Sequence, residues 1–191
     1  MSTLSVSDLP YQQVYYDNSL KIKVALLGNG ATGKTSLCDA LHSGVIPGEY
    51  DLTVGVNIST KTLGVSGKPV TLVLWDLAGQ PRFNCVREVF YTGAHTGLIV
   101  FDITSRGSFY DVETWIREFR RQAGNVPFIL VGNKKDKEAE GLREVSKEEA
   151  EELARKNRSV YIETSALDGK NVIEAFQEAT RLALQNTAVA W

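Results

Sequence analysis

The sequence predicts an α/β domain of three layers, in which helices cover both faces of a six-stranded, mostly parallel sheet. Short apolar runs, which are typical of buried strands, alternate with stretches whose apolar residues recur every three or four positions. Two consecutive strand candidates are separated only by turn residues, which indicates one antiparallel hairpin strand at the edge of the sheet. The length of 191 residues, 43% of them hydrophobic and 23% charged, suits a single domain.

The expected domain begins after a polar N-terminal extension. Residues 1–20 lack the periodicity of a helix or a strand, and we expect them to be partly ordered, with docking on the domain and disorder both left open. The domain is predicted to span residues 21–186, followed by a tail of residues 187–191. Its first elements are a strand at residues 22–28 and a helix at residues 34–43. A tight loop must therefore connect these two elements.

The predicted hairpin follows a loop rich in Gly and Pro at residues 44–50. Its strands are expected at residues 55–64 and 69–76, and the turn residues 66–68 separate them. Its second strand leads into a loop and then an irregular helix at residues 81–91.

The middle of the chain contains a strand–helix–strand unit. Residues 98–101 and 128–131 are continuous apolar runs, which suit parallel strands covered on both faces. One helix is predicted between them from an apolar face that consists of Phe109, Val112, Ile116 and Phe119. The sheet in this region should therefore be parallel.

The last part of the chain is predicted to fold as helix, strand and helix. Ser146 and Glu149 form a capping box before a helix that ends near Lys156, and a short strand follows at residues 160–162. The apolar face of the final helix consists of Val172, Ile173, Phe176, Ala179, Leu182 and Ala183. In a sheet of this kind, ligands bind outside the carboxyl ends of the strands.

The loop between the first strand and the first helix matches a phosphate-binding motif. Residues 28–36, GNGATGKTS, fit the spacing G-x-x-x-x-G-K-[ST] at Gly28, Gly33, Lys34 and Thr35. Glycines let the loop backbone approach phosphate oxygens at a helix N terminus. Lys34 would lie beside the β- and γ-phosphates, and the Thr35 hydroxyl would be left for Mg²⁺. The alternative is a Gly-rich turn in which GKT occurs by chance.

A second candidate segment ends the second hairpin strand. Asp76 lies one element after the phosphate loop, where a nucleotide site needs a negative charge near its metal. Gly79 and Gln80 follow at the spacing that a γ-phosphate contact and a water-orienting amide would need. Asp76 alone would more often be a turn former, but the phosphate loop favours the functional interpretation.

Two polar segments follow later strands, at the edge where a ligand should bind. In the NKKD segment at residues 133–136, Asp136 can accept the two protons of guanine N1–H and its exocyclic amine, and would repel the unprotonated N1 of adenine. Residues 163–166, ETSA, offer backbone amides for the O6 of guanine. The alternatives are a solvated polar loop and an ordinary strand-to-helix turn.

The composition argues against several other classes of protein. With 21 basic and 23 acidic residues the net charge is −2, which does not indicate nucleic acid or an anionic membrane as a partner. Two cysteines and two histidines make a disulfide framework or a zinc site unlikely on composition. No apolar stretch has the length of a membrane span, and residues 1–20 do not resemble a signal peptide. We therefore expect a cytoplasmic protein.

Taken together, the motifs resemble the Ras superfamily of small GTPases, and they are most similar to its Rab branch. The motifs GNGATGKTS, TVGV, WDLAGQ, NKKD and ETSA occur in this order, and the resemblance covers about residues 20–186. It implies a Ras-like G domain of the P-loop NTPase class that binds GTP or GDP with Mg²⁺. It places Lys34 on the β- and γ-phosphates, Thr35 and Thr53 on Mg²⁺, and Asp76 on the metal through water.

The resemblance also implies the remaining functional residues. Gly79 corresponds to a γ-phosphate contact, and Gln80 corresponds to the residue that orients the attacking water, so the catalytic set is Gln80, Lys34, Thr53 and Gly79. Asn133, Lys134 and Asp136 would clamp guanine. The implied nucleotide-binding residues are Gly28, Gly30, Ala31, Thr32, Gly33, Lys34, Thr35, Ser36, Thr53, Gly79, Asn133, Lys134, Asp136, Ser165 and Ala166.

By the same resemblance, residues 44–54 form switch I and residues 78–91 form switch II. Effector proteins, exchange factors and GTPase-activating proteins would bind there, and we expect a monomer. Ile46 stands where the family usually has an aromatic residue against guanine, and Pro81 stands where Rab proteins usually have Glu. No C-terminal cysteine offers a prenylation site, so we expect membrane association only if a lipidated C terminus has been removed.

Two functional hypotheses follow from the sequence. The first is a Mg²⁺-dependent switch that hydrolyses GTP slowly, and Gln80 favours it. The second is a GTP-loaded binding or scaffold module with negligible hydrolysis. A P-loop kinase or ATPase is disfavoured by the NKKD segment.

Overall fold

The computed structural model describes residues 20–43, 55–77, 79 and 89–186. The strands are β1 (Leu20–Leu27), β2 (Val56–Val65), β3 (Lys68–Leu77), β4 (Thr96–Asp102), β5 (Phe128–Asn133) and β6 (Val160–Glu163). The helices are α1 (Lys34–Ser43), α2 (Arg106–Tyr110), α3 (Val112–Ala123), α4 (Lys147–Lys156) and α5 (Val172–Asn186), and a 3₁₀ helix spans Lys135–Glu140. Residues 89–91 are also helical.

The described strands form one six-stranded sheet in the order β2-β3-β1-β4-β5-β6. All neighbouring strands are parallel except β2 and β3, which are antiparallel, so the predicted edge strand and mixed sheet are confirmed. Ser66 and Gly67, at φ of 51° and 77°, form the hairpin turn, as a two-residue connection with positive φ at both positions requires. Because β1 lies between β3 and β4, the loop after β1 opens at the point where the strand order reverses. Open α/β sheets bind their ligands there.

Two apolar clusters cover the two faces of the sheet. On one face, α1 and α5 contribute Leu37, Leu41 and Phe176 to a cluster with the inward side chains of the central strands. On the other face, α3 and α4 pack around Phe119 and Ala150. The continuous apolar runs of β4 and β5 are buried over their full lengths, as strands covered on both faces must be. The three-layer prediction is therefore confirmed.

Two predictions about helices are wrong in detail. The predicted single helix around Phe109 and Phe119 is two helices, because the chain breaks at Asp111, which ends α2 and precedes α3. Phe109 is consequently only half-buried. Ile173, predicted on the buried face of the last helix, is 50% exposed, and Thr180 is buried in that helix instead. Its hydroxyl donates to the Phe176 carbonyl, which removes the cost of burying it.

The predicted capping box of α4 is confirmed: the Ser146 hydroxyl accepts from the Glu149 N–H, and the Glu149 carboxylate accepts from the Ser146 N–H.

The longest described helix, α5, has 15 residues. Within the described ranges, none of the helices combines the length and the apolar character that crossing a bilayer requires.

Candidate nucleotide-binding site

The loop that joins β1 to α1 is shaped by two glycines that admit no side chain. Gly28 has φ 135°, and a Cβ there would lie 2.0 Å from the Val100 carbonyl oxygen. Gly33 has φ 92°, and its Cβ would lie 2.3 Å from the amide nitrogen of Asn133. Any other residue would displace the loop from β4 and β5. These contacts explain why the motif specifies glycine at both positions.

The Lys34 side chain lies inside this loop. Its ammonium group donates 2.8 Å hydrogen bonds to the carbonyl oxygens of Gly28 and Asn29, and the residue is only 6% exposed. The lysine is the first residue of α1, whose N-terminal amides add positive potential. The loop therefore concentrates the positive charge that bound phosphates need.

The remaining predicted loop residues occupy the same turn. Thr32 is buried, and its hydroxyl donates to the Asn29 carbonyl at 3.0 Å. Gly30 and Ala31 are exposed at the loop tip, and Ser36 is half-buried in the first turn of α1. Ala31 adopts φ 63°, a left-handed conformation that is unfavourable for a residue with a Cβ. The structure thus brings the predicted cradle residues together.

Thr35 and Asp76 form the candidate metal site. The Thr35 hydroxyl donates a 2.5 Å hydrogen bond to one carboxylate oxygen of Asp76, near the end of β3. The other oxygen, Oδ1, is buried and has no hydrogen-bond partner among the described residues. Burial raises the pKa of Asp76, against the opposing effects of the Thr35 hydrogen bond and the Lys34 charge. A buried, partnerless carboxylate oxygen beside a hydroxyl is a donor set that suits Mg²⁺.

Gly79 lies directly against the phosphate loop. A Cβ at this position would approach within 2.2 Å of the Gly28 carbonyl oxygen and 2.6 Å of the Gly30 backbone nitrogen. Only a glycine lets this segment and the loop come so close. The predicted γ-phosphate contact is therefore next to the cradle.

The base-binding end of the site is connected to the cradle by Asn133. Its side-chain amide donates to the Thr32 carbonyl at 3.0 Å, and its oxygen accepts from the Thr164 hydroxyl at 3.0 Å and the Ala166 N–H at 3.2 Å. Asn133 is only 2% exposed. This one side chain therefore joins three loops. The Ala166 amide, which was predicted to bind guanine, donates its hydrogen bond to Asn133 in this structure.

Asp136 and Lys134 flank this connection. Asp136 accepts a 2.7 Å hydrogen bond from the Ser165 hydroxyl, which orients its carboxylate. Lys134 has φ 66°, and its ammonium group lies 2.7 Å from the Asp102 carboxylate at the end of β4. The NKKD and ETSA segments thus meet at the carboxyl edge of the sheet, as predicted.

Several residues that support the site were not predicted. The Asn29 side-chain oxygen accepts from the Trp115 indole at 2.7 Å, and its amide donates to Asp111 at 2.7 Å. Beneath the base-binding loops, the Glu163 carboxylate accepts from Lys135, from Arg143 at 2.9 Å and from the Tyr161 hydroxyl at 3.0 Å.

Burial alone would raise the pKa of Glu163, but the hydrogen bonds from Lys135 and Arg143 outweigh it and lower that pKa. Glu163 therefore remains a carboxylate that holds the two base-binding segments together. Its position in ETSA was the only sequence signal for this role.

Thr53 and Gln80 lie outside the described residues, as do switch I at residues 44–54 and most of switch II at residues 78–91. Their predicted roles therefore remain predictions. The residues that are described define a P-loop protein with a second pair of loops, connected to the cradle, that can recognise a base.

Comparisons with known proteins agree with this class. The model of the Ras family matches residues 23–185. The chain is 41% identical over 172 residues to Ras-related protein Rab-9B of Mus musculus, covering 87% of this chain and 84% of that protein. It is 40% identical over 156 residues to Ras-related protein Rab-11A of Dictyostelium discoideum, covering 81% and 72%, respectively. It is also 40% identical over 171 residues to GTP-binding protein YPTC5 of Chlamydomonas reinhardtii, covering 86% and 83%.

The chain therefore belongs to the Ras family and is a Rab-like small GTPase. It binds GTP and GDP, and it acts in signalling or trafficking with regulator and effector proteins.

Proposed function

We propose that this protein is a Mg²⁺-dependent switch that hydrolyses GTP through the residues predicted from the sequence, in a G domain at residues 21–186. The observation that carries this proposal is the Thr35–Asp76 pair beside Lys34. It brings a hydroxyl and an ammonium group of the phosphate loop next to a partly unpaired carboxylate from β3. This combination suits a divalent cation bound to nucleotide phosphates.

Thr35, Thr53 and Asp76 would hold Mg²⁺, whose chemistry is to neutralise charge on the β- and γ-phosphates. Lys34 donates to the same phosphates once they displace the carbonyl oxygens of Gly28 and Asn29. The backbone amides of residues 28–36 surround the phosphates, and Gly79 lies close enough to the loop to contact the terminal phosphate.

Guanine selectivity is assigned to Asp136, which accepts the N1–H and amine protons of the base. The Ser165 hydroxyl holds that carboxylate in place, and Asn133 ties the loop to the cradle. Lys134 and Ala166 complete the pocket for the base.

Hydrolysis is assigned to Gln80, which orients the attacking water for in-line displacement at the γ-phosphate. Residues 44–54 and 78–91 order around that phosphate and loosen after hydrolysis, so effectors, exchange factors and activating proteins bind there according to the nucleotide state. The proposal treats the protein as a monomer.

The test has two stages. Chromatography of the nucleotide released from purified protein should yield GDP or GTP, and co-purified ATP would contradict the base assignment. In single turnovers, hydrolysis should be slow, on the order of 10⁻⁴ to 10⁻³ s⁻¹, the range of a Ras protein without an activating partner. Gln80→Leu should be slower still with nearly unchanged nucleotide affinity. An equal rate in the variant would remove Gln80 from the mechanism.

A further inference from the structure

A basic cavity of about 500 Å³ lies at the end of the sheet opposite the nucleotide site. Phe128, the first residue of β5, lines it, whereas Asn133 at the other end of β5 belongs to the base-binding loops. At about 3.3 Å per residue, roughly 16 Å of strand separates the two sites. The cavity volume is in the range of small-ligand pockets.

Among the residues that the structure describes, the lining of this cavity carries three cations and no acid. Arg120 comes from the end of α3, Lys156 from the end of α4, and Arg158 from the turn before β6. The other polar lining side chains are the amides of Asn125, Asn157 and Asn186. The C termini of α3 and α4 both attract nearby cations, so the helix dipoles favour Arg120 and Lys156 at this end of the sheet. In a protein of net charge −2, this local excess of three positive charges indicates an anionic ligand.

The Arg120 guanidinium is already oriented. It donates to the Asn157 carbonyl oxygen at 2.9 Å and to the Asn157 side-chain oxygen at 3.3 Å, and it lies over the Phe128 ring at 5.4 Å from the centroid. A planar guanidinium fixed in this way loses little freedom when it binds an anion.

The other two cations are available to a ligand. Lys156 pairs with Glu113 at 3.1 Å, but the two side chains are 71% and 51% exposed, so water weakens the pair and an incoming phosphate can replace it. Arg158 forms no ion pair within the described part of the chain, and it occupies a left-handed conformation at φ 56°. Glycine is the residue that this conformation favours, so an arginine here costs stability.

We propose that this cavity binds a small anion that carries several phosphate groups, such as an inositol polyphosphate, either free or as a lipid headgroup. Arginine pairs bidentately with phosphate oxygens, and three cations from three segments can bind several phosphates at once. The asparagine amides provide further donors for hydroxyl and phosphate oxygens. The site is separate from the nucleotide site, so both can be filled together.

Calorimetric titration of inositol hexakisphosphate into protein loaded with GDP and Mg²⁺ tests the proposal, because the loaded phosphate loop cannot bind the probe. We expect saturable one-to-one binding that weakens as salt increases. Arg158→Gly should weaken it about tenfold or more, the loss expected for one charge-assisted contact. Glycine suits the positive φ, so this variant should fold at least as well as the wild type. The matched control, Arg155→Gln on the neighbouring helix α4 but outside the cavity lining, should leave affinity unchanged.

Sedimentation with vesicles identifies the source of the phosphates. Vesicles that contain phosphatidylinositol bisphosphate are compared with phosphatidylserine vesicles of equal total charge. Arg158-dependent binding to the former alone indicates a lipid headgroup, whereas binding of the soluble probe without vesicle binding indicates a free polyphosphate. Three outcomes would overturn the proposal. The protein could bind both kinds of vesicle equally, or Arg158→Gly and Arg155→Gln could lose the same affinity. The third outcome is that neither the soluble probe nor the vesicles show saturable binding.

Discussion

The indole N–H of Trp115 donates a 2.7 Å hydrogen bond to the side-chain oxygen of Asn29, which connects helix α3 to the phosphate loop. The carbonyl oxygen of the same asparagine accepts from the Lys34 ammonium at 2.8 Å. Asp111 at the start of α3 accepts from the Asn29 amide at 2.7 Å. The position of the loop is therefore determined partly by a helix that contributes no predicted nucleotide contact.

A double-mutant cycle with Trp115→Phe and Asn29→Ala tests this connection. Trp115→Phe should release GDP about 2- to 12-fold faster, because one hydrogen bond contributes about 0.5 to 1.5 kcal/mol to the order of the loop. Asn29→Ala should release it at least as fast, because that change also removes the hydrogen bond to Asp111. The double variant should be no faster than the more affected single variant, since both remove the same bond. Displacement of a fluorescent GDP analogue measures the rates. Fully additive effects would mean that the two residues act separately.

Asp76→Asn should separate metal binding from folding stability. The amide is neutral, so it avoids the cost of a buried carboxylate, whose pKa burial has raised. In EDTA, the variant should therefore unfold at the same or a higher temperature than the wild type. Its affinity for Mg²⁺ in the presence of GDP should fall at least about tenfold. Glu174→Gln, an exposed change on α5, serves as the control; an unchanged Mg²⁺ affinity in Asp76→Asn would exclude Asp76 as a metal ligand.

Asp136→Asn should change the base preference of the site. Loss of a charge-assisted contact costs about 1.5 to 3 kcal/mol, so GDP should bind about 10- to 150-fold more weakly. Xanthosine diphosphate should bind better, because its extra carbonyl accepts from the new amide. Competition titrations of both nucleotides measure this. The control is Asp168→Asn, an exposed carboxylate near Ser165, which should leave the preference unchanged. Equal affinities of the wild type for GTP and ATP would contradict the assignment.

Glu163→Gln should destabilise the fold in a pH-dependent way. The carboxylate accepts from Lys135, Arg143 and Tyr161, so its loss should cost about 1.5 to 3 kcal/mol at pH 7. The pKa of Glu163 in the folded state lies below the ordinary value of 4.5 for a glutamate. The stabilisation is therefore complete at pH values above 4.5. It is lost as the pH falls through the folded-state pKa.

Urea unfolding at pH 7 and at about pH 4 should therefore show a smaller difference between wild type and Glu163→Gln at the lower pH. Glu138→Gln is the matched control. Glu138 also contacts Arg143, at 2.7 Å, but it is 45% exposed and should contribute far less. A difference that does not depend on pH would mean that shape, not charge, matters at residue 163.

The sequence was sufficient to predict the cradle because each of its key residues is required by a local constraint. Gly28 and Gly33 meet neighbouring backbone or side chains that exclude a Cβ, and Lys34 and Thr35 carry the chemistry. The break at Asp111 was not predictable, because the apolar spacing continues from α2 into α3. The Asn29–Trp115 contact joins residues 86 positions apart and falls on a variable position of the motif, so no pattern indicated it.

Ala31→Gly should stabilise the protein. At φ 63°, the alanine Cβ costs about 1 to 2 kcal/mol, and glycine offsets about half of this gain through its greater freedom in the unfolded chain. We expect the free energy of unfolding in EDTA to rise by about 0.5 to 1 kcal/mol in urea titrations. Ser66→Gly, at φ 51° in the hairpin turn, should give a similar gain far from the nucleotide. Because Ala31 is exposed at the loop tip, its replacement removes no buried contact. Destabilisation by Ala31→Gly, alongside a gain from Ser66→Gly, would show that the alanine side chain itself supports the cradle.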